Sequence, residues 1–247
     1  MSLSRREFIR NVSLAGGGLT LGFTLPLAAS DAPASASLEP DAFLRIDSAG
    51  NATVQIHKAE MGQGVLTGII TIIAEELEVD PASMRYEMAP VDEAFADPEY
   101  RMQITGGSTS IRVYYDILRR TGASAREMLL QAASQQSGLP RTALTAANGR
   151  VTGGSGSADL GYGELVALAA ALQVPENPPL KNASQFNHIG KQNRRLDVQP
   201  KVDGSAVFAS DAPVPDALVA VLVRCPHFGG SLLRADTRRA EAMPGVE

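Results

Sequence analysis

Leu66, Ile69, Ile70, Ile73, Ala74 and Leu77 recur at helical spacing and predict an amphipathic helix. Ahead of it, residues 43–46 read as a strand, Ser48-Ala49-Gly50-Asn51 as a turn, and residues 52–57 as a return strand with Val54 and Ile56 on one face. Asp80-Pro81 is a cap followed by a first-turn proline, and Met84 to Met88 suits a further strand. Ile111, Tyr114, Tyr115, Leu118, Gly122, Ala125, Leu129, Ala132 and Ala133 keep one helical face, and Gly138 and Pro140 end it. Asn148-Gly149 signals a hairpin, residues 153–156 a break, and Tyr162, Leu165, Leu168, Ala169 and Leu172 a third helix. Pro175–Pro179 separates a different unit, and from Gly190 the pattern is strand-like and loop-rich, with Val207-Phe208-Ala209 and the unbroken apolar run Leu218 to Val223, which is expected to be a buried strand. Hairpins mixed with helices predict an α+β fold.

The chain has 247 residues, 44% hydrophobic and 20% charged, with a net charge of −5. That suits packed domains rather than a disordered segment, and it gives no electrostatic case for nucleic acid. One cysteine and three histidines exclude an internal disulfide and an all-cysteine iron–sulfur or zinc site. Redox chemistry would therefore need a cofactor held without cysteine ligands. Residues 1–30 carry Arg5-Arg6, a weakly apolar stretch broken by Gly16-Gly17-Gly18, and small residues after Pro26, which resembles a twin-arginine export signal and predicts a periplasmic location. Residues 31–40 form an Ala/Ser/Pro linker. Two units are then expected, over residues 41–180 and 181–247.

Two glycine loops carry the candidate chemistry. Glu60-Met61-Gly62-Gln63-Gly64 precedes the first helix, and Thr105-Gly106-Gly107-Ser108-Thr109-Ser110 precedes the second. Glycine permits sharp turns and close approach, and the helix that follows points free N–H groups and its positive dipole end at the loop, the makings of an anion site. Gln63 adds an amide suited to a heterocycle edge or an oxo group, and Ser108, Thr109 and Ser110 add hydroxyls. Neither loop is a P-loop or a full dinucleotide fingerprint. Taken singly each reads first as an ordinary capped loop, and two such loops in one domain bring a ligand site level with that reading. His57, beside the first loop, reads as a satisfied structural histidine. Arg112 reads as a phosphate partner or a solvated helix charge, and Asp92, Glu93, Asp97 and Glu99 as a solvated loop. Cys225 reads as a buried thiol.

Met61-Gly62-Gln63-Gly64-Val65-Leu66-Thr67, followed by Ala74-Glu75-Glu76-Leu77, resembles the molybdopterin-binding large subunit of the xanthine dehydrogenase/aldehyde oxidase family. So do Thr105 to Ser110 followed by Gly122 to Leu129, and Lys201-Val202-Asp203-Gly204-Ser205-Ala206, which resembles the start of that family's α/β hammerhead domain. The order of these pieces behind a twin-arginine signal is similar to the branch formed by the isoquinoline 1-oxidoreductase β-subunits. The resemblance implies a molybdopterin-binding segment over residues 41–180 and the start of a hammerhead over 181–247. It implies molybdenum bound to molybdopterin, commonly the cytosine dinucleotide, and oxidation of an aldehyde or nitrogen heterocycle with oxygen from water. Electrons would leave through a partner subunit carrying a 2Fe-2S cluster and often through a cytochrome c. By family position Gln63 would contact the pterin or its phosphate end, and Gly62, Gly64, Gly106, Gly107, Ser108, Thr109 and Ser110 would contact pterin or phosphate. The catalytic base and the second wall of the site would lie beyond Glu247, so this chain alone is expected to be inactive. A non-catalytic periplasmic module using the glycine loops for subunit assembly stays open as the alternative.

Overall fold

The computed structural model describes residues 19–22, 42–208 and 210–246. The chain divides into two compact units, Met1–Gly204 and Ser205–Glu247.

In the first unit, β1 (Leu19–Gly22), β2 (Ala42–Ile46), β3 (Ala52–Ile56) and β4 (Arg85–Met88) form a sheet in that order. β2 and β3 make the expected hairpin, pairing Leu44 with Val54 and Ile46 with Ala52. β1, from the stretch read as an export signal, pairs antiparallel with β2 at the edge. The helix α1 (Val65–Leu77) connects β3 to β4, and because it carries the chain back along the sheet, β4 runs parallel to β3. Its apolar stripe lies on the sheet face formed by Leu44, Ile46, Val54 and Ile56, all buried. Each such aliphatic side chain contributes about 1.5–3 kcal/mol on leaving water. Asp80 caps the turn at Pro81–Ser83 through the Ala82 N–H, as the Asp-Pro pair predicts.

The second helical stretch is interrupted. α2 (Thr109–Arg112) is a single turn, and α3 (Tyr115–Ser137) is the long helix. Tyr114 sits at the break, fully buried, and donates from its hydroxyl to Ala96 O. Its phenol anchors the break inside the core. α3 packs on α1 through Gly122, where a Cβ would lie 2.5 Å from Ile73 O. Only a residue without a side chain lets the two backbones come this close.

A second sheet, β5 (Leu144–Ala147), β6 (Arg150–Gly153) and β7 (Ala158–Gly161), is antiparallel throughout. Asn148 and Gly149 turn its first hairpin with φ of 50° and 73°, as the dipeptide predicts. α4 (Tyr162–Ala170) follows, and the buried Tyr162 donates to Leu77 O at the end of α1.

Residues 181–204, which the sequence groups with the chain after them, lie in the first unit, where α5 (Val198–Asp203) ends it at Gly204. In the second unit, α6 (Arg238–Glu241) is a single turn. Leu218 to Val223 is not the buried strand the apolar run predicts: Leu218, Val219, Val221, Leu222 and Val223 are 70–94% exposed. Val207 and Phe208 are exposed and outside any strand as well. A strand needs a neighbour for its N–H and C=O groups, and the described residues of this unit form no sheet. Cys225 is exposed for the same lack of a core, not buried as its residue type suggests. Among the described residues no helix is long and apolar enough to cross a membrane.

Candidate functional site

β3 delivers His57 and Lys58 to the first glycine loop. The chain turns through Gly62 and Gly64, with φ of 99° and 83°, and enters α1. Left-handed backbone at both positions explains the glycines. The free N–H groups expected at the start of α1 are occupied. Glu60 Oε1 accepts from Gly62 N at 2.8 Å and Gly64 N at 3.0 Å, and Oε2 accepts from Leu66 N at 3.0 Å. Burial pushes the Glu60 carboxyl up, but these three donors outweigh it and hold the group below its ordinary range. The anion seat read from the sequence is thus filled by the loop's own carboxylate. Gln63 is exposed, and its amide closes the loop, accepting from Met61 N and donating to Ala59 O. Arg195 fastens the loop from outside, donating to Gly62 O at 2.6 Å and to Glu60 at 3.1 Å.

The second loop lies against the first. Ala59 N donates to Thr105 Oγ1 at 2.7 Å, and Lys58 Nζ donates to Ile104 O at 3.0 Å. Beneath both loops Lys58 Nζ meets Asp97 Oδ2 at 2.7 Å, with both side chains 0% exposed. Thr109 donates to the same oxygen at 2.6 Å, so its hydroxyl faces inward. Burial raises the Asp97 carboxyl, but the Lys58 and Thr109 hydrogen bonds prevail and bring it down to about 2. Asp97 therefore leaves the solvated loop expected for its acidic cluster. The charge run misleads because Asp97 faces a buried cation, Lys58. Arg112 is held in a two-pronged ion pair by Glu99, at 2.7 and 2.8 Å. Gly107 and Ser108 are exposed with φ of 59° and 56°. The Ser108 and Ser110 hydroxyls carry no hydrogen bond among the described residues, and Gly106 is half-buried beside them.

His57 is buried but not satisfied. Neither ring nitrogen has a hydrogen-bond partner among the described residues. The ring packs against Tyr114 at 4.2 Å and Phe43 at 5.3 Å between centroids. Burial, reinforced by the Lys58 charge, pushes its pKa down to about 3.

Two functional anchors escape the sequence reading. Glu75 and Glu76 are fully buried on α1. Glu75 accepts from the N–H groups of Asn187, His188 and Ile189 and pairs with Lys181. Glu76 takes Arg119 and Arg126 from α3, and the Lys181 N–H. They strap residues 181–189 onto α1. The available signal was two acids inside an otherwise apolar helix.

Among the described residues, no group of three or more His, Cys, Asp and Glu is placed to hold a metal ion. The molybdopterin cofactor-binding domain family matches residues 6–210. The chain is 29% identical to the isoquinoline 1-oxidoreductase β-subunit of Brevundimonas diminuta, covering 99% of this chain and 36% of that protein. It is 31% identical to the membrane-bound aldehyde dehydrogenase [pyrroloquinoline-quinone] of Gluconacetobacter polyoxogenes, covering 99% and 32%. It is 26% identical to a nicotinate dehydrogenase subunit of Pseudomonas putida, covering 90% and 19%. The chain thus spans about a third or less of the length of these relatives. Among solved structures, quinoline 2-oxidoreductase from Pseudomonas putida 86 aligns with a TM-score of 0.40 at 21% identity, over 50% of this chain and 15% of that one. With the family matched across most of its length, the chain belongs to the molybdopterin cofactor-binding domain family.

Proposed function

We propose that this chain supplies one wall of a molybdopterin site in a molybdenum hydroxylase large subunit that oxidises an aldehyde or nitrogen heterocycle. The juxtaposition of the two glycine loops, joined by the Ala59–Thr105 hydrogen bond, carries this reading. The residues fit a flat, polar group. A Cβ at Gly62 or Gly64 would meet nothing within 4 Å, so backbone is open to close approach there. The Ser108 and Ser110 hydroxyls, unpartnered among the described residues, stand ready as donors, and the exposed Gln63 amide keeps a second N–H beyond the one it gives to Ala59 O.

Gln63, Gly62 and Gly64 would hold the pterin edge, and Gly106, Gly107, Ser108 and Ser110 the remainder, in the cytosine dinucleotide form the phosphates. Thr109 contributes through Asp97, by fixing the loop from below. When bound, molybdopterin with its molybdenum supplies the redox chemistry that adds water-derived oxygen to the substrate. The chain's own residues orient the group and shape the surface around it. Electrons would leave through a partner subunit carrying a 2Fe-2S cluster and through a cytochrome c. The Arg5-Arg6 segment supports export to the periplasm in folded form.

The test is Gln63→Ala in the full-length subunit. Loss of a hydrogen bond to a buried heterocycle is worth about 1–3 kcal/mol. Pterin and molybdenum content should fall after gel filtration, with the melting temperature lowered only by the loss of the two exposed loop hydrogen bonds to Met61 N and Ala59 O. Unchanged cofactor content and turnover would remove Gln63 from the site and favour a loop pair used for subunit assembly.

A further inference from the structure

A preformed groove of about 480 Å³ lies beside α1, between that helix, the start of α3 and residues 188–195. Its strap is fixed at both ends. Glu75 grips the N–H groups of Asn187 to Ile189, and at the other end Leu196 N donates to Thr67 Oγ1 while Arg195 binds the first glycine loop. The strap over the groove is thus tied to α1 and the first glycine loop at both ends.

The lining has a distinct chemistry. Gly68, Ile72 and Ile111 make an apolar floor, and the absence of a Cβ at Gly68 deepens it: one built there would lie 3.1 Å from Ile111 Cδ1. Thr71, Tyr115, His188 and Lys191 line the walls, and none of their side-chain polar atoms has a hydrogen-bond partner among the described residues. Thr71 is 8% exposed, and its hydroxyl has no hydrogen-bond partner among the described residues. No Asp or Glu among the described residues lines the groove. Lys191 has no ion pair within that set, whereas Arg195 is already neutralised by Glu60 and Asp197.

We propose that this groove binds a flat aromatic ring bearing one anionic oxygen group, a carboxylate or a phosphate. The ring lies on the floor of Gly68, Ile72 and Ile111. The anion takes the Lys191 ammonium and the hydroxyls of Thr71 and Tyr115. A groove of this size suits a small ligand. The reading does not rest on molybdopterin: only Gln63 and Gly64 border both sites, and the probes are cofactor-free.

The experiment titrates benzoate, phenyl phosphate, inorganic phosphate and benzyl alcohol into the 247-residue chain, following the methyl resonances of Ile72 and Ile111 by NMR. Saturable shifts with benzoate or phenyl phosphate are expected, and the tighter of the two identifies the anion. Inorganic phosphate and benzyl alcohol should bind at least tenfold more weakly. Lys191→Glu, a surface change that leaves folding intact, should weaken binding by at least tenfold, and Thr71→Val severalfold. Gly68→Ala should weaken it through the floor. Absence of saturable shifts, equal affinity for inorganic phosphate, or full affinity in Lys191→Glu would each overturn the proposal.

Discussion

The unsatisfied histidine makes a quantitative claim about pH. His57 has an unfolded pKa near 6.5 and a folded pKa pushed down to about 3. A base with a depressed folded value binds fewer protons in the native state, so the unfolded chain gains protons first as pH falls. Stability from neutral His57 is complete above about pH 6.5 and is lost progressively below it. At pH 5 the loss is 1.5 pH units at 1.36 kcal/mol each, or about 2 kcal/mol. Against a typical domain stability of roughly 5–15 kcal/mol that is a large fraction. The perturbation is His57→Phe, which keeps a ring between Tyr114 and Phe43 and removes the titration. Urea unfolding of both proteins at pH 7.5 and pH 5.0 gives the difference. The wild type should lose about 2 kcal/mol more than the variant over this interval. His188 and His227 are common to both and cancel. Parallel losses in the two proteins would refute the assignment, and with it the claim that the ring stays uncharged in the fold.

Asp97→Asn should cost about 3–5 kcal/mol by leaving the Lys58 ammonium buried without its counter-charge, and pairing Lys58→Met with Asp97→Leu should recover most of it. Thermal unfolding of these two variants against the wild type checks the order. Gly122→Ala should cost about 1–3 kcal/mol, because its methyl would drive α3 off the Ile73 carbonyl. Its melting temperature should fall by about 2–4 °C for each kcal/mol. Replacing Arg5 and Arg6 together with lysine should hold the precursor in the cytoplasm, read by cell fractionation, since ammonium groups do not reproduce the paired guanidinium; normal periplasmic levels would remove the export reading.

Elements whose determinants are local were legible. The α1 stripe, the Ser48–Asn51 turn, the Asp80-Pro81 cap and the Asn148-Gly149 hairpin each carry their cause within a few residues. What failed depends on partners distant in sequence. Leu218 to Val223 has the composition of a buried strand, but composition cannot supply a neighbouring strand. Asp97 looks like its acidic neighbours until Lys58, distant in the chain, is brought beneath it. The glycine loops were legible as a pair, and the structure joins them through Ala59 and Thr105. Their side-chain roles were not, because Glu60 and Gln63 are turned back on their own backbone.

Glu60 makes the first glycine loop carry its own tethered competitor. A carboxylate on a short tether faces its amides at an effective concentration in the millimolar range or above. Acetate, a carboxylate of like affinity, must exceed that concentration to displace it, and the Arg195 contact adds to the barrier. The loop is thereby insulated from the small anions of its surroundings. A ligand that engages it by presenting acceptors to Gln63 and to exposed backbone, leaving the glutamate in place, meets no such competition. The filled seat acts as a filter that turns a generic anion trap into a surface favouring neutral, multiply hydrogen-bonding rings.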